Sequence, residues 1–470
     1  MNARITNISR ICTVALCFVA FMTAGVVIAS DSSNTKLDTE LASIVNDPAH
    51  PLASLSVLAV RHGKIVYHQQ FGNRFIDPLN AANNKPANNA TLYRIASISK
   101  LVTTLGVMKL LEEGKLKLDQ DVSNYLGYKL RHPEFPDTPI TLRMLLSHRS
   151  SLRDDAGYYW EAKLGVDLKD VLVPGGKLYG TGAAWTKNIK PGTYFEYANF
   201  PWGVIGTIME RVTGERFDRL MQRLIFEPMQ LHGGFDPADF PAAEVADIAT
   251  LYRKRTEVDG KEIWNPSGPW VAQVDDYSKT APQPRALSDY VIGTNGTLFG
   301  PQGNCRLSAE GLAQIMFMLM NHGKHGSKQI LAKKTVALML SEQWRHNRQS
   351  GARSNGDTYK GEFQAWGLGT QIFRDMQELD KAQGSVQGHG SFKGDRLVEA
   401  GGVTGFGHFG DAWGLTSAIV FNPKTRDGMI FLSGGPGFNP ETVKSKYSSM
   451  FRYEEQILTA LDRYAIKNKR

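Results

Sequence analysis

The stretch "RIASISKLV", Arg94–Val102, runs from a polar turn straight into an apolar, helical pattern. Ser97 and Lys100 stand three apart at that junction. Apolar residues continue at Ile98, Leu101, Val102, Leu105, Met108 and Leu111 as far as Gly114, a C-terminal cap, so a buried helix is predicted from Ser97 to Glu113. Residues i and i+3 share a helical face, which puts the Lys100 amine within reach of the Ser97 hydroxyl. The positive end of the helix favours developing negative charge, and the Ser97 backbone N–H is a candidate oxyanion donor. A desolvated lysine would have the lowered pKa that a base needs. The pattern Ser-x-x-Lys is weak by itself. Ser33–Lys36 matches too, in a stretch expected to be flexible, and is read as chemically silent.

On either side of this helix the chain reads as sheet. Ser54–Val60, the turn "RHGK" and "IVYHQQFG" form a predicted hairpin with Gly63 in the turn, and Leu415–Phe421, "NPKTRDG" and Met429–Ser433 form another. Met450, Phe451, Ile457, Leu458, Leu461 and Tyr464 recur at helical spacing, so a C-terminal helix closes the fold. Between the ends helices dominate, as in Ser308–Gly323, whose Met316, Met318 and Met320 read as core filler. Long loops are expected in the middle, for example over Asp236–Gln283. The fold class is therefore α+β: an antiparallel sheet built from both chain ends and flanked by helices, with an inserted, mostly helical lobe. The sheet lobe takes about 50–95 and 395–466, and the helical lobe about 96–394.

The first residues differ from the rest. Arg4 and Arg10 precede an apolar run, Ile11–Ala29, with Val27 and Ala29 placed for cleavage after Ala29. This reads as an export signal over 1–29, leaving 30–470 as a periplasmic or secreted domain with no transmembrane segment after cleavage. The run is also long enough for an uncleaved membrane anchor. Leu16 before Cys17 is too large for a lipoprotein cleavage site. Cleavage would leave Cys305 as a lone, structural cysteine, so a large core rather than disulfides must supply stability. The net charge of +8 falls to +6 once Arg4 and Arg10 leave. The basic residues are scattered apart from the terminal "KNKR", which argues against a nucleic-acid partner. His322 and His325 have no third ligand nearby in sequence, so no zinc site is expected there, and no cofactor is expected elsewhere.

Two further segments carry candidate chemistry. Tyr197 and Asn199 in "FEYANFPWGVIGTIMERVTGE" precede an inward-packing helix, where a lone tyrosine would ordinarily be a core residue bonded to backbone. His408 and Gly410 in "FGHFGDAWGLTSAIVF" lie on or beside a β-prone run, and Gly410 would let a substrate carbonyl approach the backbone closely.

Together with Ser97 and Lys100, these segments resemble the serine β-lactamase and penicillin-binding-protein superfamily, in its class C-like, esterase-containing branch. The likeness runs from about Leu52 to Ile466. It includes "ITLRMLLSHRSSL", similar to the family's segment ending in His-Thr-Ser-Gly-Leu, and "FGHFGDAWGLTSAIVFNP", similar to its His-x-Gly motif. The resemblance implies a β-lactamase/transpeptidase-like fold and an acyl-enzyme at Ser97. Lys100 and Tyr197 would share the proton traffic, with the tyrosinate stabilised by the nearby ammonium. Asn199 would bond Lys100 or the substrate amide, and His408 would line the pocket. The N–H groups of Ser97 and Asp411 would form the oxyanion hole, each donor worth ~3 kcal/mol of transition-state stabilisation.

Departures from the family pattern direct the substrate reading. His408 replaces a permanently charged lysine, which moves the expectation from penicillins, cephalosporins and D-alanyl peptides toward neutral esters or amides. Carboxypeptidase and β-lactamase chemistry use the same residues and stay open, as does a non-catalytic wall- or ligand-binding protein. The expected partner is a small ester, amide or β-lactam, or a cell-wall peptide. Ser151 stands where the family usually has glycine, so the loop after His148 is expected to differ. Asp411 brings a carboxylate close to the oxyanion hole unless its side chain points away. Tyr158–Trp160, Trp185 and Trp202 either line an apolar acyl pocket or pack in the helical lobe.

Overall fold

The computed structural model describes residues 32–161, 165–259, 261–349, 351–376 and 394–467. The segment read as an export signal lies outside them. Among the described residues no helix is long and apolar enough to cross a membrane.

Among the described residues the main sheet has nine strands: β1 (Ser54–Arg61), β2 (Lys64–Phe75), β3 (Lys85–Pro86), β4 (Trp344–Arg345), β5 (Ala365–Trp366), β6 (Gln371–Phe373), β7 (Gly405–Ala412), β8 (Leu415–Asn422) and β9 (Asp427–Ser433). Their spatial order is β4-β5-β6-β7-β8-β9-β1-β2-β3. The two chain ends meet where β1 pairs antiparallel with β9, Leu55 opposite Ser433 and Val60 opposite Gly428. The β1–β2 turn places His62 and Gly63 at φ 51° and 76°, the paired left-handed geometry of a tight hairpin.

Both sheet faces are covered, so the central strands are buried along nearly their whole length. Alternation still sorts their side chains. Leu58, Val60, Ile419 and Ile430 join the cluster beneath the helical lobe, while Val57, Ala59, Val420 and Phe431 join the cluster on the opposite face. Of the helices, α1 (Ser32–Val45) and α6 (Arg452–Leu461) cover that opposite face. On the other side lie α2 (Ile98–Glu112), α3 (Leu142–Leu146), α4 (Phe200–Thr213) and α5 (Ala309–Met320). Helix α2 is buried all round from Ile98 to Met108, the signature of a central helix rather than a surface one. Ser308 caps α5 by accepting the Gly311 N–H at 3.0 Å.

Three expectations need correction. Ser33–Lys36, expected in a flexible stretch, lies in α1, whose Leu37, Leu41, Ile44 and Val45 fall on one helical face and pack against Ile457, Leu458 and Leu461. The span 236–283 is not loop alone. It holds two short antiparallel pairs, Leu251–Arg253 with Val271–Val274 and Arg255–Val258 with Lys261–Trp264. Strands of three or four residues, several bearing Arg, Lys or Glu, leave little alternation to read; in the second pair Arg255 stands over the Trp264 ring at 4.8 Å. Finally, β4, β5 and β6 come from inside the span assigned to the helical lobe; strands of two or three residues carry no periodicity.

Candidate active site

The N-terminus of α2 abuts β7. Ala96 stands in the left-handed region at φ 48°, the sharp turn that starts the helix at Ile98. Ser97 occupies the cap position, yet its hydroxyl makes no capping hydrogen bond and stays available for chemistry. Lys100, one turn on, has no solvent exposure. Its Nζ lies 3.0 Å from Ser97 Oγ, 2.8 Å from Asn199 Oδ1 and 3.1 Å from the Gln302 carbonyl oxygen.

These three partners decide what the amine can do. Burial lowers the Lys100 pKa to about 7, against the opposing pull of Asp154. A neutral amine has two hydrogens and one lone pair. Asn199 Oδ1 and the Gln302 carbonyl can only accept, so they take the two hydrogens and the lone pair faces the Ser97 hydroxyl. That is a base aimed at a nucleophile.

Tyr197 stands beside them, its ring centroid 4.9 Å from Lys100 Nζ. Burial pushes its phenol well above the usual tyrosine range, and a hydrogen bond with Ser97 opposes this. Both shifts favour neutral groups. Burial thus pushes both groups toward their neutral forms, phenol and amine, whereas the resemblance implies a tyrosinate stabilised by an ammonium. The ring is stacked between His148 (4.5 Å, 28°) and Phe363 (5.0 Å, 18°).

His408 is buried in β7. Its Nδ1 faces the Phe409 carbonyl, which can only accept, so Nδ1 carries the hydrogen and Nε2 a lone pair. Desolvation, reinforced by Lys100, lowers its pKa to about 3. The position that resembles the family's lysine thus presents a neutral acceptor. Nε2 has no protein partner among the described residues.

Gly410 acts differently from expectation. A Cβ there would stand 2.6 Å from the Ile95 carbonyl oxygen and 3.2 Å from Ala96 Cβ. The space belongs to the chain's own turn before Ser97, not to a substrate. Asp411 follows Phe409 by two residues and shares its face of the strand, where Phe409 packs into the cluster around α6. Burial raises its carboxyl pKa, and the nearby Arg253 opposes the shift. The side chain points away from the Gly410 face, so only its backbone is available to an oxyanion hole.

Several contributors were not singled out from sequence. Asp154 accepts from the Asn199 N–H (2.8 Å), Asn199 Nδ2 (2.8 Å) and the Phe200 N–H (2.8 Å). His148 Nδ1 accepts the Ala198 N–H at 3.2 Å and its carbonyl accepts the Glu196 N–H at 2.9 Å. Both belong to the segment after α3, whose likeness to His-Thr-Ser-Gly-Leu was the one available signal. Ser151 keeps the conformation that glycine would have, at φ 61°, and donates Oγ to the Ile189 carbonyl at 2.9 Å, so the loop is held rather than altered. Of the aromatic residues, Trp185 and Trp202 are core, Trp160 packs on Phe200, and Tyr158 and Tyr159 are exposed. Cys305 is fully buried, and burial pushes its thiol up, which makes it inert.

The fold and this cluster define a serine-hydrolase-like architecture, and the chain belongs to the Beta-lactamase family, whose model matches residues 41–448. Among individual relatives, penicillin-binding protein 4* of Bacillus subtilis (strain 168) is 30% identical over 179 residues. That match spans 37% of this chain and 36% of the relative, about a third of its length. D-amino acid amidase from Ochrobactrum anthropi SV3 superposes with a TM-score of 0.57 at 16% identity, over 91% of this chain and 99% of that one. EstCE1, a hydrolase with promiscuous acyltransferase activity, gives 0.55 at 22% identity, over 92% and 98%. At these identities the structural matches speak for the fold alone.

Proposed function

We propose that the protein is an exported serine hydrolase that cleaves neutral esters or amides through an acyl-enzyme on Ser97. The observation that carries this reading is the environment of Lys100: a buried amine 3.0 Å from Ser97 Oγ whose other two partners are obligate acceptors. In the acylation step the Lys100 lone pair takes the Ser97 proton and Oγ adds to the substrate carbonyl. The oxyanion is met by the N–H groups of Ser97 and Asp411. Collapse expels the alcohol or amine, which takes a proton relayed from Lys100 through the Tyr197 hydroxyl. Water then adds to the acyl carbonyl, losing its proton to Lys100; the acyl–Oγ bond breaks, the acid departs, and Lys100 returns the proton to Ser97 Oγ.

The preference for neutral substrates rests on His408. A lone pair at Nε2 offers nothing to a carboxylate, whereas penicillins, cephalosporins and D-alanyl peptides all carry one. The fold likeness to an amidase and to EstCE1 is compatible with this class. Turnover of p-nitrophenyl acyl esters, with nitrocefin and a D-Ala-D-Ala peptide as comparators, tests it. Ester turnover lost in Ser97→Ala supports the reading. Preferential hydrolysis of nitrocefin or the peptide would replace it by β-lactamase or carboxypeptidase activity. Failure of both turnover and fluorophosphonate labelling would leave a binding protein.

A further inference from the structure

The loop Ser147–Asp154 grips the segment that bears Tyr197 and Asn199 amide by amide. The N–H groups of residues 196 and 198 go to the His148 carbonyl and Nδ1, and those of 199 and 200 go to Asp154. Asp154 makes one contact more: Asn199 Nδ2 donates to its Oδ2 at 2.8 Å. A primary amide can present either end to a neighbour, and a carboxylate, which only accepts, removes that freedom. With Nδ2 held by Asp154, Oδ1 has to face Lys100, 2.8 Å away.

We propose that Asp154 is a positioning residue which fixes the orientation of the Asn199 amide and thereby aims the Lys100 lone pair at Ser97. The consequence follows from counting hydrogens. With Asn199 reversed, Nδ2 would donate to Lys100, occupy its lone pair and leave Ser97 without a base. Asp154 also acts through charge. It faces Lys100 across Asn199 and, among the described residues, is the one anion opposing the burial that lowers the lysine's proton affinity. The other titratable groups facing Lys100 are Tyr197 from the loop before α4, His148 from the loop after α3 and His408 from β7, all held neutral by burial. Removing the carboxylate therefore removes both the amide lock and the anionic counterweight, and both losses make Lys100 harder to protonate.

The consequence for turnover rests on the hydrolase reading, so the test has one readout with substrate and one without. Lysine Cε resonances of the full chain are followed by NMR from pH 5 to 11, with Lys100 assigned by its absence in Lys100→Arg. The same samples are assayed for kcat/KM on a p-nitrophenyl ester. In the wild type the Lys100 resonance titrates near 7. In Asp154→Asn, and in Asp154→Ser, which keeps a cap acceptor should the amide variant misfold, the titration moves about one pH unit lower. The acid limb of kcat/KM moves with it, and its plateau falls about ten- to hundredfold. Asp154→Glu, which keeps the charge, holds the titration at the wild-type position. An unchanged Lys100 titration in either folded, uncharged variant would overturn the proposal and leave Asp154 as a helix cap. A wild type that titrates as stated but cleaves no ester would overturn the hydrolase reading and leave the positioning role standing.

Discussion

A Cβ on Gly410 would stand 2.6 Å from the carbonyl oxygen of Ile95, so the strand that bears His408 lies in direct contact with the turn that bears Ser97. Two segments more than 300 residues apart in the chain thus share one wall of the site. Gly410→Ala has to push them apart. We expect it to cost about 1–3 kcal/mol of stability and at least tenfold in kcat, because the Asp411 N–H retreats from Ser97. Thermal melts and ester kinetics on the one variant check both halves.

Ser97→Ala is expected to abolish turnover while leaving stability within about 0.5 kcal/mol of wild type, because the hydroxyl caps no helix. A folded, inactive variant is the signature. A marked drop in melting temperature would mean that Ser97 is structural.

Lys100 works against the fold that holds it. Its folded pKa of about 7 lies below the ordinary 10.5, so the unfolded chain binds the extra proton more readily. The resulting destabilisation is fully present below pH 7, fades between pH 7 and 10.5, and is on the order of 5 kcal/mol. Lys100→Met should therefore be inactive yet gain more melting temperature at pH 6 than at pH 10. Wild-type kcat/KM should rise through an acid limb near pH 7 as the amine loses its proton.

His408→Lys restores a cation beside Lys100. The expected outcome is loss of ester turnover at neutral pH, a lower melting temperature and a gain in acylation by nitrocefin, read by stopped-flow absorbance. Equal nitrocefin reactivity in both proteins would mean that position 408 does not set the preference for neutral substrates.

Much of this arrangement was legible in the sequence because it is written in long periodic segments. The helix behind Ser97 and the hairpins at either end carry ten or more residues of pattern each. The short strands Trp344–Arg345, Ala365–Trp366 and Gln371–Phe373 were not legible, since two residues have no period and their place in the sheet depends on partners far along the chain. Ser97, Lys100, Tyr197, Asn199 and His408 were found as motif residues, and the structure brings their side chains into one cluster. Asp154 and His148 escaped because their roles are made of backbone amides fifty residues away, which no local spacing announces. The direction of the Asp411 side chain and the occupant of the Gly410 hollow likewise depend on which face of β7 meets the turn at Ile95.

The most direct test of the account is a rapid acid quench of the protein with a p-nitrophenyl ester, followed by peptide mass spectrometry. The mass of one acyl group is expected on the peptide containing Ser97, appearing within the first turnover and absent from Ser97→Ala. Ester hydrolysis that proceeds with no acyl adduct there, or equally well in Ser97→Ala, would contradict it.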